Sequence, residues 1–389
     1  MTVCGIIAEY DPFHKGHERH LRLAREKTGA DYIVCVMSGS FTQRGQPALL
    51  PAHARAEMAL KCGADIVLQL PYAFSVREAE YFALGGVYIL HALDCVTHLS
   101  FGCETDDLSL LQKAAACLER QEATFTAALQ AGLGRGLSFA AAQGAALKGA
   151  LGPAAEGLSA PNAALALCYL RSLLRLNSPI QPVPILRNAD YHAAELKADA
   201  YPSASALRSA ILRGDWPGVA SAVPENALPA LRRAVAEGLC PPDGLDSALR
   251  HTLLLARPEA IARWPGVDEG LEQRILAAAG KTVNREALID AVKTRRYTRG
   301  RISRALCHGL MGVEKADLPP LPDHARILGF REQARPLLRR MQASGFPLFS
   351  RPAKDEKAAL DLRADELWRI GAGLPLGDTY RRQPVIVSP

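Results

Sequence analysis

No apolar run in this 389-residue sequence approaches the roughly 18 consecutive residues that a membrane-spanning helix needs, so no span is expected. The opening Met1-Thr2-Val3-Cys4-Gly5 carries no basic segment ahead of its apolar run, and a secretory leader is not expected either. The nine cysteines include no C-x-x-C pair and sit in scattered, mostly apolar surroundings. That argues against a zinc knuckle or a disulfide framework and for reduced, buried thiols. Internal repeats and low-complexity segments are missing as well. These absences together point to a cytosolic globular protein.

What is present fits that class. Hydrophobic residues make up 49% and charged residues 22%, and at roughly 150 residues per domain the length suggests two domains. A formal charge of +6 is mildly basic and permits a polyanionic partner without requiring one.

The stretch around which the chain is organised is Gly5-Ile6-Ile7-Ala8-Glu9-Tyr10-Asp11-Pro12-Phe13-His14-Lys15-Gly16-His17-Glu18-Arg19-His20. An apolar run ends at Asp11-Pro12, and an H-x-G-H turn leads into a helical pattern carrying Leu21, Leu23 and Ala24. This reads as strand, loop, helix. His14 and His17 then share the first helical turn, where free N–H groups and the helix dipole favour an anion such as a nucleotide phosphate. Gly16 lets a ligand approach the backbone. A pair that merely caps the helix, or half of a zinc site, are the alternatives.

Further along, strands are expected at 31–37, 64–70, 97–101 and 181–186, alternating with helices at 53–62, 78–93 and 163–176, the pattern of parallel βαβ units. A helical insertion is expected over about 108–151, broken at Gly132–Gly136. The loop Ser38–Pro47 reads as a phosphate or substrate loop, or else a polar turn. Gly102 suggests a backbone pressed against a flat ligand, with a plain turn as the alternative. Asn162 stands at a helix start and Arg187-Asn188 follow a strand. Ser203, Ser205 and Arg208 at another helix start make a candidate phosphate clamp, or an ordinary cap. Past residue 212 the strand signals vanish apart from 384–387, so a mostly α-helical domain, 213–389, is expected after a doubly wound parallel-sheet α/β domain, 1–212. Within a predicted helix at 286–306, Lys293-Thr294-Arg295-Arg296-Tyr297-Thr298-Arg299-Gly300-Arg301-Ile302-Ser303-Arg304 carries six basic residues and no acid. It suits a nucleic-acid backbone, with Tyr297 available for stacking, or else a solvated helix face.

Taken together these runs resemble a known family. His14-x-x-His17 resembles the (H/T)xGH signature of the HIGH-type nucleotidyltransferases, and Ser203–Arg208 a variant of their serine-rich second motif. More narrowly, EYDPFHKGH, SGSFTQRGQPA, ARAEMAL, GADIVLQLP, AEYFA, FGCE, PNAALAL, ADYH and KTRRYTRGRISR resemble, in that order, the bacterial tRNA(Met) cytidine acetate ligase family over roughly residues 2–310. The resemblance implies an ATP-dependent ligase that forms acetyl-adenylate and pyrophosphate from acetate, then acetylates N4 of the wobble cytidine of elongator tRNA(Met). It implies that Ile7 to His20 line the ATP site with Gly102, Asn162, Arg187 and Asn188. His14, Lys15 and His17 would stabilise charge at the α-phosphate, Ser205 and Arg208 would grip the β- and γ-phosphates, and magnesium would ride on those phosphates. Lys293, Arg295, Arg296, Tyr297, Arg301 and Arg304 would meet tRNA. The sequence departs from the family pattern at Asp11, Lys15, Ser40, Cys103 and Ala163. A nucleotidyltransferase acting on a small phosphorylated metabolite, and an RNA-binding protein on a relict nucleotide fold, are the other readings of these motifs.

Overall fold

The computed structural model describes residues 1–121, 123–187, 203–351, 356–377 and 379–388. Strands β1 (Val3–Ala8), β2 (Tyr32–Ser38), β3 (Ile66–Leu70), β4 (His98–Cys103) and β5 (Gln181–Leu186) run parallel in the order β5-β4-β1-β2-β3. The chain starts in the middle of the sheet, builds one way to β3, then returns past β1 to β4. That reversal opens a crevice beyond the carboxyl ends of β1 and β4, where open α/β sheets bind ligands.

The connecting helices are α1 (Lys15–Thr28), α2 (Ala52–Lys61), α3 (Tyr72–Ser75), α4 (Ala79–Ala92), α5 (Leu108–Arg120), α6 (Ala123–Gly134), α7 (Phe139–Leu151) and α8 (Pro161–Arg175). They cover both faces of the sheet, which is why its strands read as unbroken apolar runs. Successive residues of one strand serve opposite cores: Val34 and Val36 pack with Leu90 and Leu99, whereas Ile33, Cys35 and Met37 pack with Leu21 and Leu60. The expected helical insertion is α5 to α7. All nine cysteines are free thiols, and among the described residues no helix is long and apolar enough to cross a membrane.

Beyond β5 come α9 (Ala204–Leu212), α10 (Trp216–Ala222), α11 (Leu228–Glu237), α12 (Asp246–Leu255), α13 (Pro258–Ala262), α14 (Leu271–Ala279), α15 (Arg285–Val292) and α16 (Arg299–Met311). The single helix expected at 286–306 is thus two. Thr298 caps α16 by accepting the Arg301 N–H, and the Thr294 side chain accepts the N–H groups of Arg296 and Tyr297, so 293–298 is a turn. The basic cluster therefore begins on a loop and ends on a helix.

The second correction concerns the carboxyl part, which supplies strands to the same sheet. β6 (Ala325–Arg331) pairs antiparallel with β3, and β7 (Leu348–Phe349) and β8 (Val385–Val387) pair parallel with β6; α17 (Arg335–Ala343) and α18 (Ala359–Gly371) lie between them in the chain. β6 is hard to read because Arg326 is buried within it. A charge is buried in a strand only when paired, and its partner Asp365, at 2.8 Å, lies in α18.

The helical part has a core of its own, including Trp264, Ile275, Ile289 and Ile302. Another cluster joins it to the sheet, bringing Phe41 and Tyr72 against Cys307, Met311, Leu367 and Trp368.

Candidate active site

The turn from β1 into α1 builds the site. Tyr10 adopts a left-handed conformation (φ +49°), and it and Phe13 are buried beneath α1. His14 is the N-cap of α1: its Nδ1 accepts the Gly16 N–H at 3.0 Å, and the His17 Nδ1 accepts the His14 N–H at 3.3 Å. The histidines do cap the helix, and in doing so they fix their tautomers. A neutral imidazole that accepts at Nδ1 carries its proton on Nε2. Burial, reinforced by the Arg187 charge, pushes His14 down to about 3. Burial, then His14, Arg187 and His20, holds His17 well below the usual histidine range. The rings, stacked with centroids 3.7 Å apart, are therefore neutral Nε2–H donors. Among the described residues no group of three or more His, Cys, Asp or Glu could hold a metal ion.

A cavity of about 220 Å³ lies at the carboxyl ends of β1 and β4. Ile7, Ala8, Glu9, Tyr10, Asp11, His17 and His20 form one wall; Phe101, Gly102, Asn162 and Arg187 form another; Arg208 and Ala204 of α9 close a third. Most of the predicted residues thus converge. Lys15 is exposed and outside the wall, Gly16 and Ser205 lie on α1 and α9 away from the lining, and Pro12, Phe13 and His14 are buried behind it. Glu18 lies half-buried on α1, and Arg19 reaches from α1 to the Leu186 carbonyl at 3.5 Å. Asn188 and the ADYH run lie outside the described residues.

Each wall has its own supports. Arg208 is not a free clamp: it donates to the Asp11 carbonyl at 2.7 Å and meets the Asp11 carboxylate at 3.4 Å, while Ser203 caps α9. Asp11, one of the departures, spends its other oxygen on the Leu49 N–H at 2.8 Å. Gly102 is small for Arg187: a Cβ there would stand 2.6 Å from the Arg187 Cδ. The flat neighbour expected at this glycine is thus, in this structure, a side chain. Glu104 accepts from the Asn162 side chain at 2.6 Å and from the Ala163 N–H at 2.7 Å, capping α8 and aiming Asn162.

Sequence reasoning missed six contributors. Glu104 closes FGCE, and its acid two residues past a candidate ligand glycine was the available signal. Fully buried Arg55 of α2 donates to the Glu9 carbonyl at 2.6 Å and to the Ser38 and Gly39 carbonyls, tying the ends of β1 and β2 together. Gln43 lines the cavity, and its N–H donates to Glu9 Oε1 at 2.6 Å. Tyr169, with Phe82 and Leu165, gives an apolar side.

The loop Ser38–Pro47 places Gln43 in the cavity wall and is also a joint to the carboxyl part. Ser40 donates to Asp365 at 2.5 Å, Ser303 Oγ donates to the Arg44 carbonyl, and Arg285 donates to the Gly45 carbonyl at 2.5 Å. On the basic stretch the structure also revises the sequence reading. Tyr297 is buried and its hydroxyl donates to the Glu269 carbonyl at 2.7 Å, so it is a core residue and not a stacking platform. Arg296 pairs with Glu269, Arg299 with Glu286 and Asp290, Arg301 with Asp268, and Arg304 with Glu78 at 3.6 Å. Lys293 and Arg295 lie on the turn before α16 and form no ion pair among the described residues.

Two other cavities, of about 360 and 380 Å³, are larger. In the first, Ser40 and Asp365 are already bonded to each other, and Asp365 also to Arg326; the second is lined chiefly by aliphatic residues such as Leu170 and Leu173. The switch-point cavity lies at the carboxyl ends of β1 and β4 and gathers His17, Asn162, Arg187 and Arg208, and it is the candidate.

The model of the HIGH Nucleotidyl Transferase family matches residues 1–375. The chain is 32% identical to the tRNA(Met) cytidine acetate ligase of Clostridium perfringens, covering 99% of this chain and 100% of that one. It is 36% identical to the enzyme of that name from Acetivibrio thermocellus, covering 95% and 94%. Two crystal structures of Thermotoga maritima TmcAL, 29% identical and each covering 100% of both chains, superpose on it with TM-scores of 0.93 for the apo form and 0.90 for a form bound with alpha-thio ATP.

Proposed function

The chain belongs to the HIGH nucleotidyl transferase family, and from that premise we propose that it is a tRNA(Met) cytidine acetate ligase of the cytoplasm: it activates acetate with ATP and passes the acetyl group to N4 of the wobble cytidine of elongator tRNA(Met). The observation that carries this reading is a switch-point cavity with His17 in its wall, at a helix start where His17 and the buried His14 stacked on it are both locked as Nε2–H tautomers. Attack of acetate on the α-phosphate builds negative charge there. His14, His17 and the amino end of α1 meet that charge with fixed donors and no reorganisation. Arg187 and Arg208 face the same cavity and suit the remaining phosphates, and Phe82, Phe101 and Leu165 offer an apolar side for adenine. No side-chain nucleophile is needed, because holding acetate and ATP together supplies the advantage. Among the described residues the wall has no acid cluster for magnesium, so the ion belongs with the nucleotide's phosphates.

Residues 1–212 would then hold the chemistry, and 213–389 would bind tRNA through Lys293 and Arg295 with the paired arginines beside them. The test of adenylation is exchange of labelled pyrophosphate into ATP. Exchange that requires acetate is the expected result. Exchange driven instead by a phosphorylated metabolite, with acetate inert, would replace this reading.

A further inference from the structure

We propose that Glu9 is the proton acceptor of the acetyl-transfer step, its Oε2, which accepts no hydrogen bond among the described residues, taking the proton that the cytidine amino group loses as it attacks the activated acetyl. This rests on the ligase reading and assigns a role within the same cavity.

Glu9 and Asp11 are the two carboxylates among the described residues of the cavity wall. His14 and His17 have spent their acceptor nitrogens on the helix cap. Arg187 and Arg208 present N–H groups, Asn162 gives its side-chain nitrogen to Glu104 and keeps only a neutral amide oxygen as acceptor, and both Asp11 oxygens are engaged, one by Leu49 and one by Arg208. Glu9 differs. Its Oε1 accepts the Gln43 N–H, while Oε2 accepts nothing among the described residues, and the half-buried Glu9 lines the cavity. A carboxylate facing a site for acetate and phosphates repels both of them, and is useful there only to a substrate that brings a hydrogen-bond donor.

The position of Glu9 points to the nucleic acid as that substrate. Through Gln43 it is bonded to the loop whose next two residues, Arg44 and Gly45, are held by Ser303 of α16 and Arg285 of α15. Glu9 thus stands on the wall continuous with the basic stretch, whereas His20 is bonded to Ser100 of β4 across the cavity.

The chemistry requires an acceptor. The cytidine N4 lone pair is delocalised into the ring, so attack on the acetyl carbonyl leaves a cationic nitrogen that must lose a proton. The N–C bond forms as the bond from acetyl carbon to phosphate oxygen breaks. AMP leaves with that electron pair, the N4 proton moves to Glu9 Oε2, and water later removes it. The surroundings of Glu9 favour this role: burial pushes its carboxyl up, the Gln43 N–H opposes this, Asp11 adds to it, and Arg44 and Arg55 oppose it. His17, His20, Tyr169, Arg187 and Arg208 face it across the cavity. A carboxylate whose proton affinity is raised is a better base.

The test is single-turnover acetyl transfer from synthetic acetyl-adenylate to a tRNA(Met) transcript, followed as a function of pH. The wild-type rate is expected to fall as pH drops through the raised Glu9 pKa. Glu9→Gln keeps a carbonyl for the Gln43 N–H, and it should slow transfer by about 10²-fold or more and abolish that acid limb. Glu9→Asp should be slower than wild type but keep the limb. Wild-type transfer by Glu9→Gln, or a slowed variant whose acid limb is intact, would overturn the proposal. So would an effect confined to the Michaelis constant for ATP, which would make Glu9 a nucleotide ligand. If the wild-type protein itself transferred no acetyl group, the ligase reading would fall and this proposal with it.

Discussion

His17 is the residue at which fold and proposed chemistry meet, because one ring nitrogen closes the helix cap and the other is left to donate. His17→Ala should cut acetate-dependent pyrophosphate formation by about 10²-fold, the usual loss when a fixed donor to a transition state is removed. Steady-state assay of a variant with an unchanged circular dichroism spectrum checks this, and near-normal turnover would remove His17 from the chemistry. The buried histidines also set how stability varies with pH. Burial pushes His14 and His308 down to about 3 and His20 down to about 4, so the folded state resists protons that the unfolded chain accepts. Stability from these groups is present near neutrality and is lost as pH falls below the ordinary histidine value toward 4 and 3. His324 runs the other way. Burial disfavours its charge, but hydrogen bonds and charges from Asp361 and Asp323 outweigh that and hold it at about 9. Its contribution is complete below the ordinary value and is lost as pH rises through about 9. Melting temperature should therefore decline on both sides, and His324→Gln should flatten the alkaline decline while leaving the acid one. An alkaline limb unaffected by that substitution would show that the Asp361–His324 pair is not its source.

At the scale of elements, the loop Ser38–Pro47 decides how the two parts of the chain meet. Gly45 has φ +69°, and a Cβ there would lie 2.7 Å from the Arg304 Cα, backbone that cannot step aside. Gly29 has a similar φ of +61° with nothing within 4 Å. Replacing either by Ala imposes left-handed strain, at least about 1 kcal/mol, but only Gly45→Ala also pushes α16 away. Urea denaturation should show Gly45→Ala to be clearly the more destabilised; equal effects would mean that the joint is not tightly packed. The same loop marks where the sequence is legible and where it is not. β1 to β5 are apolar runs bounded by turns, and their pattern follows directly from burial on both faces. The role of Ser40, Phe41 and Arg44 cannot be read locally, since it depends on Asp365, Tyr72 and Ser303, each far away in sequence. β6 is hidden for the same reason, because the acid that makes a buried Arg326 tolerable is 39 positions on. In the site, the histidines and Gly102 announce themselves locally, whereas the brackets formed by Arg55 and by Glu104 with Asn162 are contacts between elements.

For the whole molecule, the division of labour between cavity and basic stretch can be tested without dismantling the joint. Arg301 donates to the Gly266 carbonyl at 2.7 Å and Arg304 reaches Glu78, so replacing them disturbs packing as well as charge. Lys293→Ala with Arg295→Ala removes two charges that hold no ion pair among the described residues. The double variant should bind tRNA more weakly, with a flatter dependence of affinity on salt as fewer counterions are released. It should keep acetate-dependent pyrophosphate exchange. Unchanged tRNA affinity would make the stretch a solvated face, and loss of exchange would show that the helical part helps to form the nucleotide site.

The central claim is that one chain couples adenylation of acetate to acylation of a tRNA base. It is tested most directly by incubating the protein with ATP, labelled acetate and a tRNA(Met) transcript, then digesting the RNA and identifying the labelled nucleoside. The account expects label in N4-acetylcytidine, one pyrophosphate and one AMP per acetyl group transferred, and no label when the wobble cytidine is replaced by uridine. Pyrophosphate released independently of acetate, or tRNA bound without any label entering it, would contradict the account.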